Sequence, residues 1–239
     1  MSASTPVIAI EDIRFRWQDD QADVLAIDTL TIKQGDRVFI AGASGSGKST
    51  LLSLLAGVNI VRRGQVRLLD QPLEALSQVG RDQFRADHIG YIFQMFNLIP
   101  YLSIVDNVLL PCRFSQRRRD QALQTSATLE KEALRLLTHL DLEDAARQQR
   151  PVTDLSVGQQ QRVAAARALI GAPELLIADE PTSALDHDRR QAFIDLLFQE
   201  CGRSGSTLVF VSHDRSLQDL FDSTIELADI NRPAPETQP

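Results

Sequence analysis

The chain has 239 residues, of which 43% are hydrophobic and 24% are charged, and its formal net charge is −7. This length can bury a sizeable core, as one large domain or as a domain with a subdomain, and the composition is typical of a soluble globular protein. The acidic balance argues against a broad nucleic-acid-binding face, which needs clustered basic residues.

The N-terminal stretch MSASTPVIAIEDIRF has no basic start followed by a long apolar segment, so we predict no signal peptide. No apolar run approaches the roughly 18 residues that suggest a membrane span, and we expect no lipid anchor. The cysteines, Cys112 and Cys201, match no metal-ligand spacing and favour a reducing compartment. A role at a membrane would therefore need a partner.

The first clear element is a buried strand at Arg37–Ile40, followed by a glycine-rich loop and a helix-like run at Leu51–Leu55. The loop fits the phosphate-binding pattern G-x-x-x-x-G-K-[ST]. Glycines let successive backbone N–H groups surround phosphate oxygens, and the helix N-terminus adds a favourable dipole. Lys48 would neutralise the β and γ phosphates, and the Ser49 hydroxyl would coordinate Mg²⁺. The predicted nucleotide-binding residues are Gly42, Ser44, Gly45, Ser46, Gly47, Lys48, Ser49 and Thr50.

Residues 88–160 have mostly helical patterns and are predicted to form a helical subdomain inserted into an α/β core. One helical stripe comprises Leu129, Ala133, Leu136, Leu137 and Leu140. The basic stretch Arg113–Gln121 is either a solvated surface, the favoured interpretation, or a binding patch. Apolar residues surround Gln94, and they form either subdomain core or an exposed docking site. These residues are Phe93, Met95, Phe96, Leu98, Ile99, Tyr101 and Leu102.

The stretch Leu155–Arg162, LSVGQQQR, carries a helix-start signal. Ser156 followed by Gln159 is a capping-box pattern, so a helix should begin here and continue through the alanine-rich VAAARALI. The free N–H groups of that helix end, the Ser156 hydroxyl and Gly158 could bind an anion. On its own, the pattern is also satisfied by a well-capped helix without a ligand.

A second buried strand is predicted at Glu174–Ala178, and it ends in two acidic residues. In P-loop proteins an acid at this strand end holds Mg²⁺, usually through water, which assigns Asp179 to the metal. An adjacent carboxylate can accept the proton of an attacking water, which makes Glu180 the predicted general base.

The C-terminal part continues the alternation of helices and strands. A helical stripe at Ala192, Phe193, Leu196 and Leu197 should stop near Gly202, and a third buried strand follows at Thr207–Val211. Continuous apolar strands separated by helices predict an α/β fold with a parallel sheet. The proline-rich residues 231–239 are predicted to be disordered, which leaves residues 1–230 as a single domain with its core at about 1–87 and 161–230.

Taken together, these motifs resemble the ATP-binding cassette family over nearly the whole chain, from about Ile8 to Ala228. The resemblance implies a RecA-like P-loop core with a parallel sheet, an antiparallel β N-terminal part and the inserted helical subdomain. It identifies Gln94 as the Q-loop residue that contacts Mg²⁺ and the attacking water. It also identifies Leu155–Gln159 as the signature, Ser183–Asp186 as the D-loop, His213 as the switch histidine and Trp17 as the aromatic that stacks on adenine.

The resemblance further implies that two copies, or one copy and a relative, enclose two ATP molecules. Lys48 and Ser49 of one subunit would hold each ATP, while Ser156, Gly158 and Gln159 of the other subunit cap it and Asp186 lies nearby. A membrane permease would be the other partner, which implies a location on the cytoplasmic side of the inner membrane. Val157 departs from the common S-G-G-Q signature, and the side chain it adds is expected to alter dimer closure.

The segment Ile89–Pro100, with Val105–Val108 and Pro111, resembles the branch that contains lipoprotein-release, macrolide-export and cell-division cassettes. The D-loop Ser183–Asp186 departs from that branch and is common among importers. An importer ATPase is therefore the alternative function. A soluble cassette that acts on ribosomes or DNA fits less well, since the chain is acidic and has a single cassette, and intact motifs disfavour a non-hydrolysing regulatory cassette.

Overall fold

The computed structural model describes residues 6–144, 151–183, 185 and 187–233. The chain divides into two compact units, Met1–Arg85 with Val209–Pro239, and Ala86–Leu208. The strands are β1 (Pro6–Phe15), β2 (Leu25–Lys33), β3 (Arg37–Ala41), β4 (Arg63–Leu68), β5 (Gln71–Pro72), β6 (Ile89–Ile92), β7 (Leu175–Asp179), β8 (Thr207–Ser212) and β9 (Ser223–Glu226). The helices are α1 (Lys48–Leu55), α2 (Gln78–His88), α3 (Ile104–Phe114), α4 (Gln116–Thr125), α5 (Leu129–His139), α6 (Val157–Leu169), α7 (His187–Ser204) and α8 (Leu227–Ile230).

The first unit contains an antiparallel sheet with the strand order β2-β1-β4-β5. Strand β1 pairs with β2 in a register that sets Ile8 opposite Ile32 and Ile10 opposite Leu30. All four of these side chains are buried. Apolar residues two apart share one face of a strand, so this face packs inward while the intervening residues meet solvent.

The first unit also contains adjacent strands in which β3 lies between β8 and β9, and β3 pairs with β9 in parallel. Val38 of β3 pairs with Ser223 and Ala41 with Glu226. Residues 38–41 are at most 1% exposed, as expected for a strand covered on both faces. Phe39 stacks on Phe210 of β8 with their ring centroids 6.0 Å apart. The predicted strand at Arg37–Ile40 is confirmed, and it leads directly into the glycine-rich loop.

The second unit pairs β6 and β7 in parallel and also contains helices α3 to α7. The apolar stripe of α5 is buried at Ala133, Leu136 and Leu137, as its spacing predicted. The stripe predicted on α7 is partly wrong, because Ala192 is exposed. That helix also ends at Ser204, later than predicted, since Gly205 and not Gly202 adopts the left-handed conformation, with φ 69°. The parallel and antiparallel sheets with their helices confirm the predicted α/β class.

The interpretation of the basic stretch Arg113–Gln121 as a solvated surface needs correction at Ser115, which is 1% exposed, and at Arg118. Arg113, Arg117 and Arg119 are exposed, but Arg118 is only 3% exposed. The helical period explains the difference, because α4 turns a single arginine of the run toward the interior of its unit. The sequence alone could not show which arginine of this run is buried.

Candidate functional site

The glycine-rich loop between β3 and α1 is shaped by residues that lack a side chain. Gly45 and Gly47 have φ values of 78° and 99°, and Gly47 is the N-cap of α1. An added Cβ at Gly47 would lie 2.9 Å from Leu25 Cδ2, and one at Gly42 would lie 2.6 Å from Ser46 Oγ. The loop thus curves tightly at the N-terminus of α1, which is the backbone arrangement that surrounds phosphate groups.

Two polar side chains of this loop are arranged as expected for a site that receives an anion. Lys48 Nζ donates hydrogen bonds to the carbonyl oxygens of Gly42, at 2.7 Å, and Ala43, at 2.9 Å. Ser46 Oγ is buried and has no hydrogen-bond partner in the described part of the chain. A buried hydroxyl without a partner is costly, and a phosphate oxygen would supply the missing acceptor.

The remaining hydroxyl residues of the motif differ in exposure. Ser44 and Ser49 are exposed, whereas Thr50 is 7% exposed in the first turn of α1. Ser49 is therefore accessible to a metal ion, while Thr50 packs toward the core of the first unit.

Asn231 positions the glycine-rich loop, although no sequence pattern predicted this role. Its Oδ1 accepts a hydrogen bond from Ala26 N at 2.7 Å. Its Nδ2 donates to Val24 O at 3.0 Å and to Ser46 O at 3.4 Å. One side chain thus ties the glycine-rich loop to β2. Asn231 falls in the segment predicted to be disordered, of which residues 234–239 lie outside the described residues.

Trp17 offers an exposed aromatic surface in the first unit. Its side chain is 54% exposed, and its edge packs against the ring of Phe15, with the ring centroids 5.1 Å apart and the planes at 86°. The ring lines a cavity of about 610 Å³. The charged residues of this cavity are Arg14, Arg16, Asp19, Asp23, Arg62 and Arg63. An accessible ring face beside cationic groups can accept a flat heteroaromatic ligand.

His213 follows directly after β8 and is exposed. The next residue turns the chain, because Asp214 N donates a hydrogen bond to Ser212 Oγ at 3.1 Å and the Asp214 side chain caps the 3₁₀ helix Arg215–Leu220. His213 thus lies at the carboxyl end of β8, and ligands commonly bind at the carboxyl ends of strands in α/β sheets.

In the second unit, Gln94 lies two residues after β6, Asp179 is the last residue of β7, and Glu180 follows it. Because β6 and β7 are parallel, their carboxyl ends and these three residues lie at the same edge of the pair. Glu180 is 8% exposed and has φ 47°, a left-handed conformation that non-glycine residues rarely adopt. Strain of this kind persists only where the surroundings impose it, and it concentrates at functional sites. The pKa of Tyr91 on β6 is raised by burial and by the negative charge of Asp179.

Arg167 of α6 was not recognised from the sequence, yet it holds the turn that follows Gln94. In that turn Phe96 and Asn97 have φ values of 59° and 50°. The guanidinium of Arg167 donates to Phe96 O at 2.5 Å and to Asn97 O at 2.6 Å. Burial lowers the pKa of this arginine. Because both acceptors are main-chain oxygens, only the tertiary structure reveals this contact.

The apolar cluster around Gln94 is not simply core. Phe93 is 39% exposed, Met95 80% and Tyr101 85%. The ring centroids of Tyr91 and Phe93 lie 4.3 Å apart. Of the two predicted alternatives, the exposure of these three side chains favours a docking surface.

The predicted capping box at the start of α6 is confirmed. Ser156 Oγ accepts a hydrogen bond from Gln159 N at 3.3 Å, and Gln159 Oε1 accepts one from Ser156 N at 3.0 Å. The side chains of Ser156 and Gln159 are therefore both engaged in the cap. Val157 beside it is 49% exposed. Asp186, with Ala184, lies outside the described residues.

The tight loop, its lysine and its unpaired hydroxyl, together with a buried strand that ends in two acids, define a P-loop nucleoside triphosphatase. The sequence profile of the ABC transporter family matches residues 25–183. The chain belongs to this family and carries its ATPase domain. Among the described helices, none combines the length and apolar character needed to cross a membrane.

The chain is 39% identical over 209 residues to the uncharacterized ABC transporter ATP-binding protein YbbA of Escherichia coli K12, a match that covers 87% of this chain and 88% of YbbA. It is 37% identical over 227 residues to the macrolide export ATP-binding/permease protein MacB of Shigella flexneri, and the match covers 94% of this chain but 34% of MacB. The dimeric structure of MJ0796, a bacterial ABC transporter cassette, has a TM-score of 0.80 and 32% identity, with 95% of this chain and 97% of that chain covered. The same cassette in a post-hydrolysis state bound to ADP and Pi has a TM-score of 0.79.

Proposed function

We propose that this protein is the ATP-hydrolysing subunit of a membrane transporter, and that ATP makes two copies associate to drive a partner permease. The observation that carries the proposal is the glycine-rich loop, in which Lys48 lies on two carbonyl oxygens and the buried Ser46 hydroxyl has no partner among the described residues. A polyphosphate would give the hydroxyl an acceptor and attract the lysine away from the carbonyls.

We further propose that Mg²⁺ binds with the nucleotide, as the motifs predict. The Ser49 hydroxyl, the Asp179 carboxylate and the Gln94 carboxamide are hard oxygen ligands, which this ion prefers. We assign these three residues to the metal. The ion would neutralise phosphate charge and polarise the phosphoryl group when bound.

Glu180 is the proposed general base, because it is a nearly buried carboxylate in a strained conformation at a strand end. It would accept a proton from the attacking water while Gln94 orients that water and His213 contacts the terminal phosphate. Trp17 would stack on adenine, since half of its surface is exposed beside a cavity of about 610 Å³.

The partner copy would contribute its signature. Ser156, Gly158 and Gln159 form a capped helix start, where free N–H groups favour an anion, and we propose that they cap the ATP of the opposite subunit with Asp186 nearby. The dimeric structure of the MJ0796 cassette supports the association of two copies. ATP and ADP would then stabilise the closed and open pair differently, which is the requirement for a switch.

The permease would bind the exposed apolar residues Phe93, Met95 and Tyr101. A flexible methionine beside aromatic rings suits a helical segment of another protein. We propose a permease of the lipoprotein-release and macrolide-export type, which the similarity to MacB supports. The ATPase would then lie on the cytoplasmic side of the inner membrane. An importer permease is the alternative, since the D-loop Ser183–Asp186 resembles importers.

The assignment of Glu180 is tested by hydrolysis. Glu180→Gln should lower the ATP turnover rate by at least about a hundredfold, the usual contribution of a general base, while ATP affinity stays within about twofold. Phosphate release and calorimetry measure the two quantities. Glu11→Gln changes an exposed carboxylate on β1 and serves as the matched control. Rapid residual hydrolysis by Glu180→Gln would show that another group is the base.

A further inference from the structure

Arg118 of α4 binds the carbonyl end of α6, the helix that starts at the signature. Its Nε donates to Ile170 O at 2.8 Å and its Nη2 to Ala168 O at 2.5 Å. Its Nη1 lies 3.5 Å from Ile89 O at the start of β6. A buried arginine is usually paired with a carboxylate, yet within the described residues these hydrogen bonds all go to main-chain oxygens. Arg118 therefore binds mainly the carbonyl groups at the end of α6.

The physical reason for this contact is the unsatisfied end of the helix. The last carbonyl groups of an α-helix have no partner inside the helix, and the macrodipole makes that end negative. A buried guanidinium satisfies two carbonyl groups at once and compensates the dipole. Burial lowers the pKa of Arg118 to about 10, with the neighbouring Cys112, Glu174 and Asp87 opposing that effect, so the group is charged at neutral pH.

Besides Arg118, helix α6 is held by its own Arg162, which donates to Leu140 O at 3.4 Å, and by Arg167, which donates to Phe96 O and Asn97 O. Its buried residues 163–166 are one valine and three alanines, whose short side chains interlock weakly with neighbouring helices. The amide atoms of Gln161 are buried and have no hydrogen-bond partner in the described residues. The position of α6 therefore depends on its polar contacts.

Gly171, in the turn after α6, lets the backbone of α4 lie close to that turn. It has φ 71°, and an added Cβ would overlap the backbone oxygen of Arg118. The backbone of α4 thus packs directly on the turn that follows α6, while the Arg118 side chain reaches the last carbonyl groups. Both contacts act at the same end of α6.

We propose that Arg118 is a positioning residue for the signature: it holds the carbonyl end of α6 so that Ser156, at the opposite end, is set for the ATP of the partner copy. The inference rests on the proposed function. A helix of 13 residues is a stiff rod of roughly 20 Å, so displacement at one end moves the other. Arg118 touches no nucleotide and acts through α6.

The test uses the full chain with Glu180→Gln, which retains ATP, as the parent. Arg118→Gln removes the charge, Arg118→Lys keeps the charge with one donor group, and Arg119→Gln removes an exposed neighbouring charge as the matched control. Sedimentation with ATP measures the dimer dissociation constant, calorimetry the ATP affinity, and circular dichroism the folded fraction.

We expect Arg118→Gln to weaken dimerisation by about tenfold or more, as loss of a hydrogen bond from a charged group implies, with ATP affinity unchanged. Arg118→Lys should be intermediate and Arg119→Gln equal to the parent. Parent-like dimerisation of folded Arg118→Gln would overturn the inference and leave the proposed function intact. If that variant does not fold, parent-like dimerisation of Arg118→Lys overturns it. A parent that binds ATP but stays monomeric would overturn the proposed function and this inference together.

Discussion

At the scale of single residues, the nucleotide site is held in shape by side chains both inside and outside the phosphate-binding motif. Asn231 joins the glycine-rich loop to β2 through three hydrogen bonds, and Lys48 rests on the carbonyl oxygens of the loop itself. A loop that keeps its curvature without ligand loses less conformational entropy when a phosphate binds.

Replacing Asn231 tests this positioning. Asn231→Ala should lower the free energy of unfolding by roughly 1–3 kcal/mol, because Ala26 N and two carbonyl groups lose their partner. The ATP dissociation constant should rise several-fold, since the loop loses its link to β2. Urea unfolding and calorimetry measure both effects, with Gln65→Ala on β4 as the control. A stability loss with unchanged ATP affinity would limit Asn231 to a structural role.

At the scale of secondary-structure elements, α6 connects the two predicted functional segments of the second unit. Its first turn carries Ser156 and Val157, and Arg167 near its end holds the strained turn after Gln94. Arg167 thus links α6 to the turn after Gln94 through two hydrogen bonds to main-chain oxygens.

The side chain at Val157 is predicted to limit how closely two copies approach, because it is 49% exposed beside Ser156. Val157→Gly in a Glu180→Gln background should strengthen ATP-dependent dimerisation by several-fold, with a small stability cost from the added glycine. Sedimentation with ATP is the measurement, and the wild-type background reports the ATPase rate. Unchanged dimerisation together with an unchanged rate would show that Val157 has no influence on closure.

The junction of β3 and β9 gives a pH-dependent prediction. Arg37 donates from its backbone N and its guanidinium to Asp222 at 2.6–3.0 Å, and these hydrogen bonds hold the pKa of Asp222 below its ordinary 3.8. A depressed carboxyl pKa adds stability above the ordinary value, and this is lost as pH falls through the lower, folded value. Both side chains are more than a third exposed, so the contribution is at most about 1 kcal/mol.

Asp222→Asn should therefore lower the free energy of unfolding at pH 7 by up to about 1 kcal/mol, and the difference should shrink as the pH falls below 3.8. Urea titrations at several pH values measure it, with Asp20→Asn as an exposed control. A difference that stays constant with pH would mean that the carboxylate charge is not responsible.

At the scale of the whole molecule, local signals in the sequence predicted the elements that depend on local physics. The glycine loop, the capping box at Ser156 and the buried strand at Arg37–Ile40 each follow from spacing over a few residues. Contacts between distant segments were not predictable in this way. Arg118 and Arg167 bind main-chain oxygens, which every residue has, so their partners carry no sequence signature.

The strained backbone at Glu180 likewise depends on its surroundings, and the sequence showed only an acidic pair after a strand. Spacing could not separate core from docking surface at Phe93, Met95 and Tyr101, and it is their exposure in the structure that favours a docking surface. Periodicity predicts which face of an element is apolar, but not whether another part of the chain covers it.

The central claim is that ATP makes two copies of this chain associate through the signature of one and the phosphate loop of the other. Sedimentation velocity of Glu180→Gln protein with and without ATP tests it most directly, with Lys48→Ala in the same background as the control. We expect a mass near twice that of the 26.6 kDa chain only when ATP is present and Lys48 is intact. A protein that binds ATP by calorimetry and remains at the mass of one chain would contradict the claim.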